Sequence, residues 1–244
     1  MRDLAIIIPS RLAAVRFPNK PLMKINNKEM ILHVHQTAIK SDVGEVFVVS
    51  PDEEILKLIK QNGGNAIKSL KSHETGTDRV YEAYDKFLKK KNDIIINLQG
   101  DMPNLDPNSI KLLATHAKES NCDIGTLAGN FDDNASQKNI NNVKVLTAGS
   151  INNGKFSRAL DFFRTNEDNK INNIYHHIGV YAFKRSAIEK YVNLKRSKLE
   201  IDRKLEQMRA LENKMTIDVG FIKDIPLSVD TEEDLVKIKK LMGN

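Results

Sequence analysis

Between Asp3 and Glu29 the chain carries no acidic residue, yet Arg11, Arg16 and Lys20 all fall in that stretch. Cations without local counter-ions can grip phosphate oxygens. Arginine offers two parallel donors and lysine a compact point charge. The run reads Pro9-Ser10-Arg11-Leu12-Ala13-Ala14-Val15-Arg16-Phe17-Pro18-Asn19-Lys20-Pro21-Leu22, and the prolines around Lys20 favour a loop held in one shape. A solvated basic loop explains the charge equally well. No glycine-rich cradle leads into a Lys-Ser/Thr pair, so this is not a Walker loop.

Two carboxylates stand where a metal could use them. Leu98-Gln99-Gly100-Asp101 follows the apolar Ile94-Ile95-Ile96, and Val229-Asp230-Thr231 ends a second short apolar piece. A carboxylate at the end of a buried strand suits Mg2+, an ion that keeps waters and accepts phosphate oxygens. Taken alone, each aspartate is more often an ordinary one, Asp101 in a tight turn and Asp230 at a helix start. A fourth segment, Lys71-Ser72-His73-Glu74-Thr75-Gly76-Thr77-Asp78-Arg79, leads into a helix whose free backbone donors can meet an anion or a base edge. Thr77 capping that helix needs no ligand. His176 and His177 are adjacent on an expected strand and point to opposite faces, so they cannot chelate one metal together.

The elements that must position these residues follow from periodicity. Residues 4–8 and 94–96 are continuous apolar runs and residues 45–50 contain Val46-Phe47-Val48-Val49; all three are expected as buried strands, and residues 124–128 as a shorter one. Between them lie helical stripes: Ile31, Val34 and Ala38; then Ile55, Leu58 and Ile59 behind a capping Asp52; then residues 77–88; then Ile110, Leu113 and Ala117 after Pro107. Strands alternating with helices through short connections predict an α/β fold: three layers, α/β/α, with a mostly parallel central sheet and right-handed crossovers. Ligands then bind beyond the carboxyl ends of the strands, where the four segments fall. From about Asn130 the pattern loosens. Strands are expected at residues 143–146 and 174–183, a polar loop at 165–173 and one long charged helix over 198–214. A strand end at 227–229 precedes a capped helix, Thr231 to Asp234 forming the box and Leu235, Ile238 and Leu241 facing inward. This is read as a single domain over residues 1–244, with an elaborated second half over 131–226 and a returning segment over 227–244.

Composition sets the class. The chain has 244 residues, 40% apolar, with 38 basic against 32 acidic and a formal charge of +6. That balance fits a partner bearing phosphates or carboxylates. Aromatics are not interleaved with the basic residues, so nucleic acid is not expected. Cys122 is the one cysteine, which excludes an internal disulfide and a cysteine-rich zinc site and fits a reducing cytoplasm. Met1-Arg2-Asp3 runs straight into a short apolar stretch, so neither a targeting segment nor a membrane span is expected.

Taken in order, these segments resemble the 3-deoxy-manno-octulosonate (Kdo) cytidylyltransferase family over nearly the whole chain. The resemblance runs from Ile8-Pro9-Ser10-Arg11 through Lys20-Pro21-Leu22, the stretch from His73 to Arg79, and Asn97-Leu98-Gln99-Gly100-Asp101. It continues in Asn142-Val143-Lys144-Val145, Phe156-Ser157-Arg158-Ala159 and His177-Ile178-Gly179-Val180-Tyr181. It ends with Leu205-Glu206-Gln207-Met208-Arg209 and the segment from Val229 to Leu235. The resemblance implies a fold of the nucleotide-diphospho-sugar transferase kind and a reaction in which CTP and Kdo give CMP-Kdo and diphosphate for lipopolysaccharide synthesis.

It further implies roles. Arg11, Arg16 and Lys20 hold the triphosphate and stabilise charge at the α-phosphorus, while Asp101 and Asp230 ligate Mg2+. Pro9, Ser10, Thr75, Gly76, Arg79 and Gln99 complete the nucleotide site. Gln99, His177, Tyr181, Glu206 and Gln207 line the sugar site, with Arg158 a further candidate. A homodimer is implied, with the narrow-striped helix of residues 199–211 at its interface. The sequence departs from the family pattern in four places. Met102 stands where Glu is usual, Ala14 where Ser is, Leu160-Asp161-Phe162-Phe163 replace a Pro-containing stretch, and Arg203 stands where an acid is common. Those departures keep two other acceptors in view, 8-amino-Kdo and a sialic-acid-type sugar. A nucleotide-binding protein without catalysis is the rival from another class, and it has no need of the full set of Arg11, Arg16, Lys20, Asp101 and Asp230.

Overall fold

The computed structural model describes residues 3–13, 17–73, 75–89, 91–152, 154–165 and 172–243. Arg16, Ala14 and residues 166–171 of the expected loop therefore lie outside the described residues. Two compact units divide the chain: Met1–Lys111 with Pro226–Asn244, and Leu112–Ile225.

In the first unit the unbroken apolar runs are buried on both faces, as strands in a parallel sheet must be. β1 (Leu4–Pro9) is buried throughout and pairs in parallel with β4 (Glu45–Ser50) and β6 (Ile94–Leu98). β5 (Asn65–Lys68), which periodicity did not single out, adds in parallel to β4. The crossovers are α1 (Met30–Lys40), α2 (Glu53–Gln61) and α3 (Gly76–Lys86), reached in part through a small antiparallel pair, β2 (Lys24–Ile25) and β3 (Lys28–Glu29). Ile31, Val34 and Ala38 are buried as their spacing predicts, whereas in α2 Leu56 is buried in the place expected for Leu58. α3 is capped by Thr75, not Thr77: the Thr75 hydroxyl oxygen accepts the Asp78 amide at 3.2 Å.

α4 (Pro107–Glu119) carries the chain into the second unit, and there the expectation of a mostly parallel sheet fails. β7 (Ile124–Gly129) is parallel only to β11 (Ile217–Phe221). β10 (Ile174–Lys184) runs antiparallel to β7 and to β8 (Lys144–Thr147), and β9 (Phe156–Phe163) runs antiparallel to β8 and β11. The fold is a mixed α/β one. The physical reason is connection length: only residues 148–155 separate β8 from β9, too few for a helical crossover, so the chain must double back. α5 (Asn134–Lys138) and α6 (Arg185–Asn193) are short surface helices.

The expected long helix over 198–214 is two helices, α7 (Lys198–Arg203) and α8 (Gln207–Glu212). Lys204 between them adopts a left-handed conformation at φ 55°, and the Leu205 amide reaches back to Glu200 O at 3.2 Å, a helix-terminating pattern. The fold back lets buried Arg209 bond both carboxylate oxygens of Glu200, at 2.8 and 2.6 Å.

The last segment returns to the first unit. No strand forms at residues 227–229; instead Val229 donates one ladder bond to Asp101 O at 2.9 Å and Leu227 donates to Asn104 Oδ1 at 3.0 Å. α9 (Glu232–Met242) opens on the predicted box of Thr231 and Asp234. Leu235 and Ile238 pack with Phe17, Ile25, Met30 and Val229, while Leu241 is exposed rather than inward. Among the described residues no helix is long and apolar enough to cross a membrane.

Candidate active site

Lys20 opens a 3-10 turn, Lys20–Leu22, entered through Asn19 in the left-handed region at φ 57°, which asparagine tolerates better than most side chains. Asn19 N bonds Leu12 O at 3.0 Å, so the basic loop is closed on itself. From this turn Lys20 Nζ reaches Asp101 Oδ2 and Asp230 Oδ1, each at 3.2 Å. The Val229 amide on Asp101 O and the capping box of α9 hold Asp230 beside Asp101. Two carboxylates far apart in sequence thus converge on one cation. That donor set fits a hard divalent ion, which takes carboxylate oxygens and keeps waters: both carboxylates are partly exposed.

Asp52, read from sequence as a helix cap, does a different job. Its carboxylate makes no capping bond and instead accepts the Leu12 amide at 2.8 Å, fastening the basic loop to the start of α2. Ser10 is tied by its amide to Val49 O at 3.0 Å, and its buried hydroxyl has no partner among the described residues. Arg11 is exposed.

Arg79 is 6% exposed, and its Nε makes no hydrogen bond among the described residues. Burial, then the neighbouring Arg11 charge, pushes Arg79 below its ordinary value, while Asp52 and Glu82 pull it back. A buried guanidinium with an idle donor and a second cation nearby is poised for an anion or an acceptor-rich base. A Cβ on Gly76 would touch Gln99 and Pro9 at 3.6 Å, so these three residues, expected at the nucleotide, lie close together. Gln99 donates to Asn97 Oδ1 at 2.9 Å and Asn97 to Thr77 Oγ1 at 3.2 Å, orienting the Gln99 amide.

The loop ahead of α3 is organised by Glu82, which sequence reading missed. Ser69 Oγ, the Leu70 amide and His73 Nε2 converge on its Oε2 at 2.9, 3.1 and 2.8 Å. Burial opposes ionisation, yet those bonds, with the charge of His73, hold the Glu82 carboxyl down at about 2.

In the second unit, His177 is buried on β10 and bonds Thr126 Oγ1 at 3.0 Å. The Thr126 hydroxyl hydrogen goes to a backbone carbonyl, Val180 O at 2.8 Å, so its oxygen accepts and His177 Nε2–H donates. Nδ1 is then the acceptor. Burial, then His176 nearby, lowers His177 to about 3, so the ring stays neutral. Tyr181 has its ring 5.6 Å from that of His177, and burial followed by the Glu206 charge raises its phenol. Gln207 is buried at the start of α8, next to Glu206.

Arg158 does not join His177. It bonds Asp218 Oδ1 at 2.9 Å, and the β9 residue against His177 is Phe162, edge-on at 4.9 Å. Phe162 lies four positions past Arg158, about 13 Å along a strand. Met102, where an acid was the expected type, is 4% exposed and serves as core.

Residues 5–217 match the family model described as cytidylyltransferase. The 3-deoxy-manno-octulosonate cytidylyltransferase of Brucella anthropi is 39% identical over 238 residues, covering 97% of this chain and 95% of its own. That of Brucella ovis is 40% identical over 230 residues, covering 94% and 91%. A CMP:2-keto-3-deoxy-manno-octonic acid synthetase solved in complex with CTP superposes with a TM-score of 0.87 at 32% identity, over 98% of each chain. A cytidylyltransferase from Leptospira borgpetersenii shares the fold at a TM-score of 0.64 and 16% identity, covering 100% of this chain and 87% of its own. The chain belongs to the cytidylyltransferase family, on the branch of the 3-deoxy-manno-octulosonate cytidylyltransferases.

Proposed function

We propose that this chain is a nucleotidyltransferase that activates Kdo: CTP and 3-deoxy-D-manno-octulosonate give CMP-Kdo and diphosphate, supplying lipopolysaccharide synthesis in the cytoplasm. The observation that carries the reading is the meeting of Lys20, Asp101 and Asp230, joined to relatives of that name over nearly the full length. The sugar's anomeric hydroxyl attacks the α-phosphorus; the new P–O bond forms as the bond to the β-phosphate breaks, and the hydroxyl proton is released. Asp101 and Asp230 are the residues to hold Mg2+, which when bound supplies positive charge at the phosphoryl oxygens and makes the hydroxyl easier to deprotonate.

The protein's own task is positioning and charge. Lys20, Arg11 and Arg16 neutralise the triphosphate, and Lys20 exchanges its two carboxylates for phosphate oxygens. Arg79 and Gln99, with Pro9, Ser10, Thr75 and Gly76, take the nucleoside. His177, fixed as a neutral ring with Nδ1 accepting, orients a sugar hydroxyl and carries no proton in the reaction. Tyr181, Glu206 and Gln207 complete that side. A homodimer is part of the proposal, and light scattering of the purified chain tests it.

The reaction is tested by measuring diphosphate release with each nucleoside triphosphate against Kdo, 8-amino-Kdo and N-acetylneuraminate. Release confined to CTP and Kdo, and lost with EDTA, is expected. Release with another acid would move the acceptor. A folded, CTP-binding chain that releases nothing with any pair would overturn the catalytic reading.

A further inference from the structure

His116 near the end of α4, Cys122 just before β7 and Asp218 on β11 take no part in the chemistry above. Their imidazole nitrogen, sulfur and carboxylate oxygen all lie within 4.8 Å of one another. His116 Nε2 is 3.0 Å from Asp218 Oδ2. Cys122 is 4% exposed, its sulfur 3.0 Å from Ser120 Oγ. Phe156 lies flat on the imidazole, with ring centroids 3.6 Å apart and planes 1° from parallel, which fixes the plane in which His116 presents its nitrogens. Arg158 Nε occupies Asp218 Oδ1 at 2.9 Å, leaving Oδ2 as the oxygen turned to the cluster.

One nitrogen, one thiol and one carboxylate form a mixed donor set, suited to a borderline-soft divalent ion and foreign to the all-oxygen preference of Mg2+. Tetrahedral coordination spaces such atoms by about 3.3–3.6 Å, so closure asks for about 1 Å of side-chain movement. We propose that His116, Cys122 and Asp218 bind one zinc-class divalent ion, with water in the fourth position, fastening the end of α4 to β11. Binding breaks the His116–Asp218 hydrogen bond and releases the Cys122 thiol proton, with any proton on the ligating imidazole nitrogen, to solvent. Arg158 is the positioning partner of the Asp218 ligand.

Cobalt(II) is the probe, titrated into the full chain with Mg2+ present. One ion per chain is expected, with a near-ultraviolet thiolate-to-cobalt band that Zn2+ removes on displacing the probe. Cys122→Ser should lose that band, and Asp218→Asn should keep it with affinity weakened by about tenfold or more. In the unmutated chain, Zn2+ should slow alkylation of Cys122 by about tenfold or more. Cobalt bound without the thiolate band, no stoichiometric binding, or an alkylation rate unmoved by Zn2+ overturns the proposal, and the last readout does not depend on any variant folding.

Discussion

Arg203 Nη1 sits 2.5 Å from Asp161 Oδ1 and 2.7 Å from Phe162 O, joining the end of α7 to β9. Both partners are departures from the family pattern, and the structure makes them one contact. A guanidinium replacing an acid would stand unpaired without an aspartate on the facing strand, and Asp161 supplies it. The next residue, Phe162, is the one packed edge-on against His177, so the pair braces a wall of the expected sugar site.

Breaking that brace should be felt more in recognition than in folding. The side chains are 31% and 34% exposed, so screening limits the pair to on the order of 1 kcal/mol of stability. Arg203→Ala should raise KM for the acidic sugar several-fold, leave KM for CTP unchanged and lower the thermal midpoint by a few degrees. Steady-state kinetics on both substrates decide it; equal effects on both would refute a role confined to the sugar side.

Asp101→Asn should leave a folded chain whose kcat falls by about a hundredfold or more. Lys20→Ala should also be inactive, yet bind Mg2+ more tightly in the absence of nucleotide, because the ammonium now shared by Asp101 and Asp230 is a competitor for the same oxygens. Calorimetric Mg2+ titration of the free protein reads this directly. Weaker Mg2+ binding in Lys20→Ala would mean the lysine organises the carboxylates rather than competing for them.

Arg79 is a buried cation with an idle donor, which costs stability in the free protein. Arg79→Met keeps most of the volume and removes the charge. The expected result is a thermal midpoint equal to or above that of the parent, together with CTP affinity lowered by about tenfold or more. A large drop in midpoint with unchanged CTP affinity would make Arg79 a structural residue only.

Glu82 and His177 are two of the groups that set the response to acid. Glu82 is held at about 2 in the fold against an ordinary 4.5, so its contribution is present above pH 4.5 and lost as pH falls toward 2. His177 is held at about 3 against 6.5; its contribution is present above pH 6.5 and lost as pH falls from there toward 3. The effects have the same sign, and together they should cost on the order of several kcal/mol across the acid range. Thermal midpoints should decline from pH 6.5 downward, His177→Asn flattening the upper part of that slope and Glu82→Gln the lower. The His177 ring titrating near 6.5 in the folded protein by NMR would contradict the burial argument.

What the sequence determined by itself is local or close to local. Unbroken runs such as residues 4–8 and 94–96 can only be buried strands in a covered sheet, and the stripe of Ile31, Val34 and Ala38 can only be a helix with one face inward. The acid-free basic loop and the Thr231–Asp234 box were equally legible, because each rests on neighbours in the chain. The tertiary structure decided the rest. It broke the helix expected over 198–214, since Glu200 and Arg209 gain more by pairing across a fold-back than a straight helix allows. It set the strand directions of the second unit through short connections, and moved the α3 cap from Thr77 to Thr75. It also made Asp52 a loop anchor and Glu82 a hub, and tied Arg158 to Asp218. It brought Asp101, Asp230 and Lys20 onto one point, and gathered His116, Cys122 and Asp218 at another. Periodicity reports which face of an element is apolar; which distant side chains share a cavity is set by how elements pack, and no spacing along the chain encodes it.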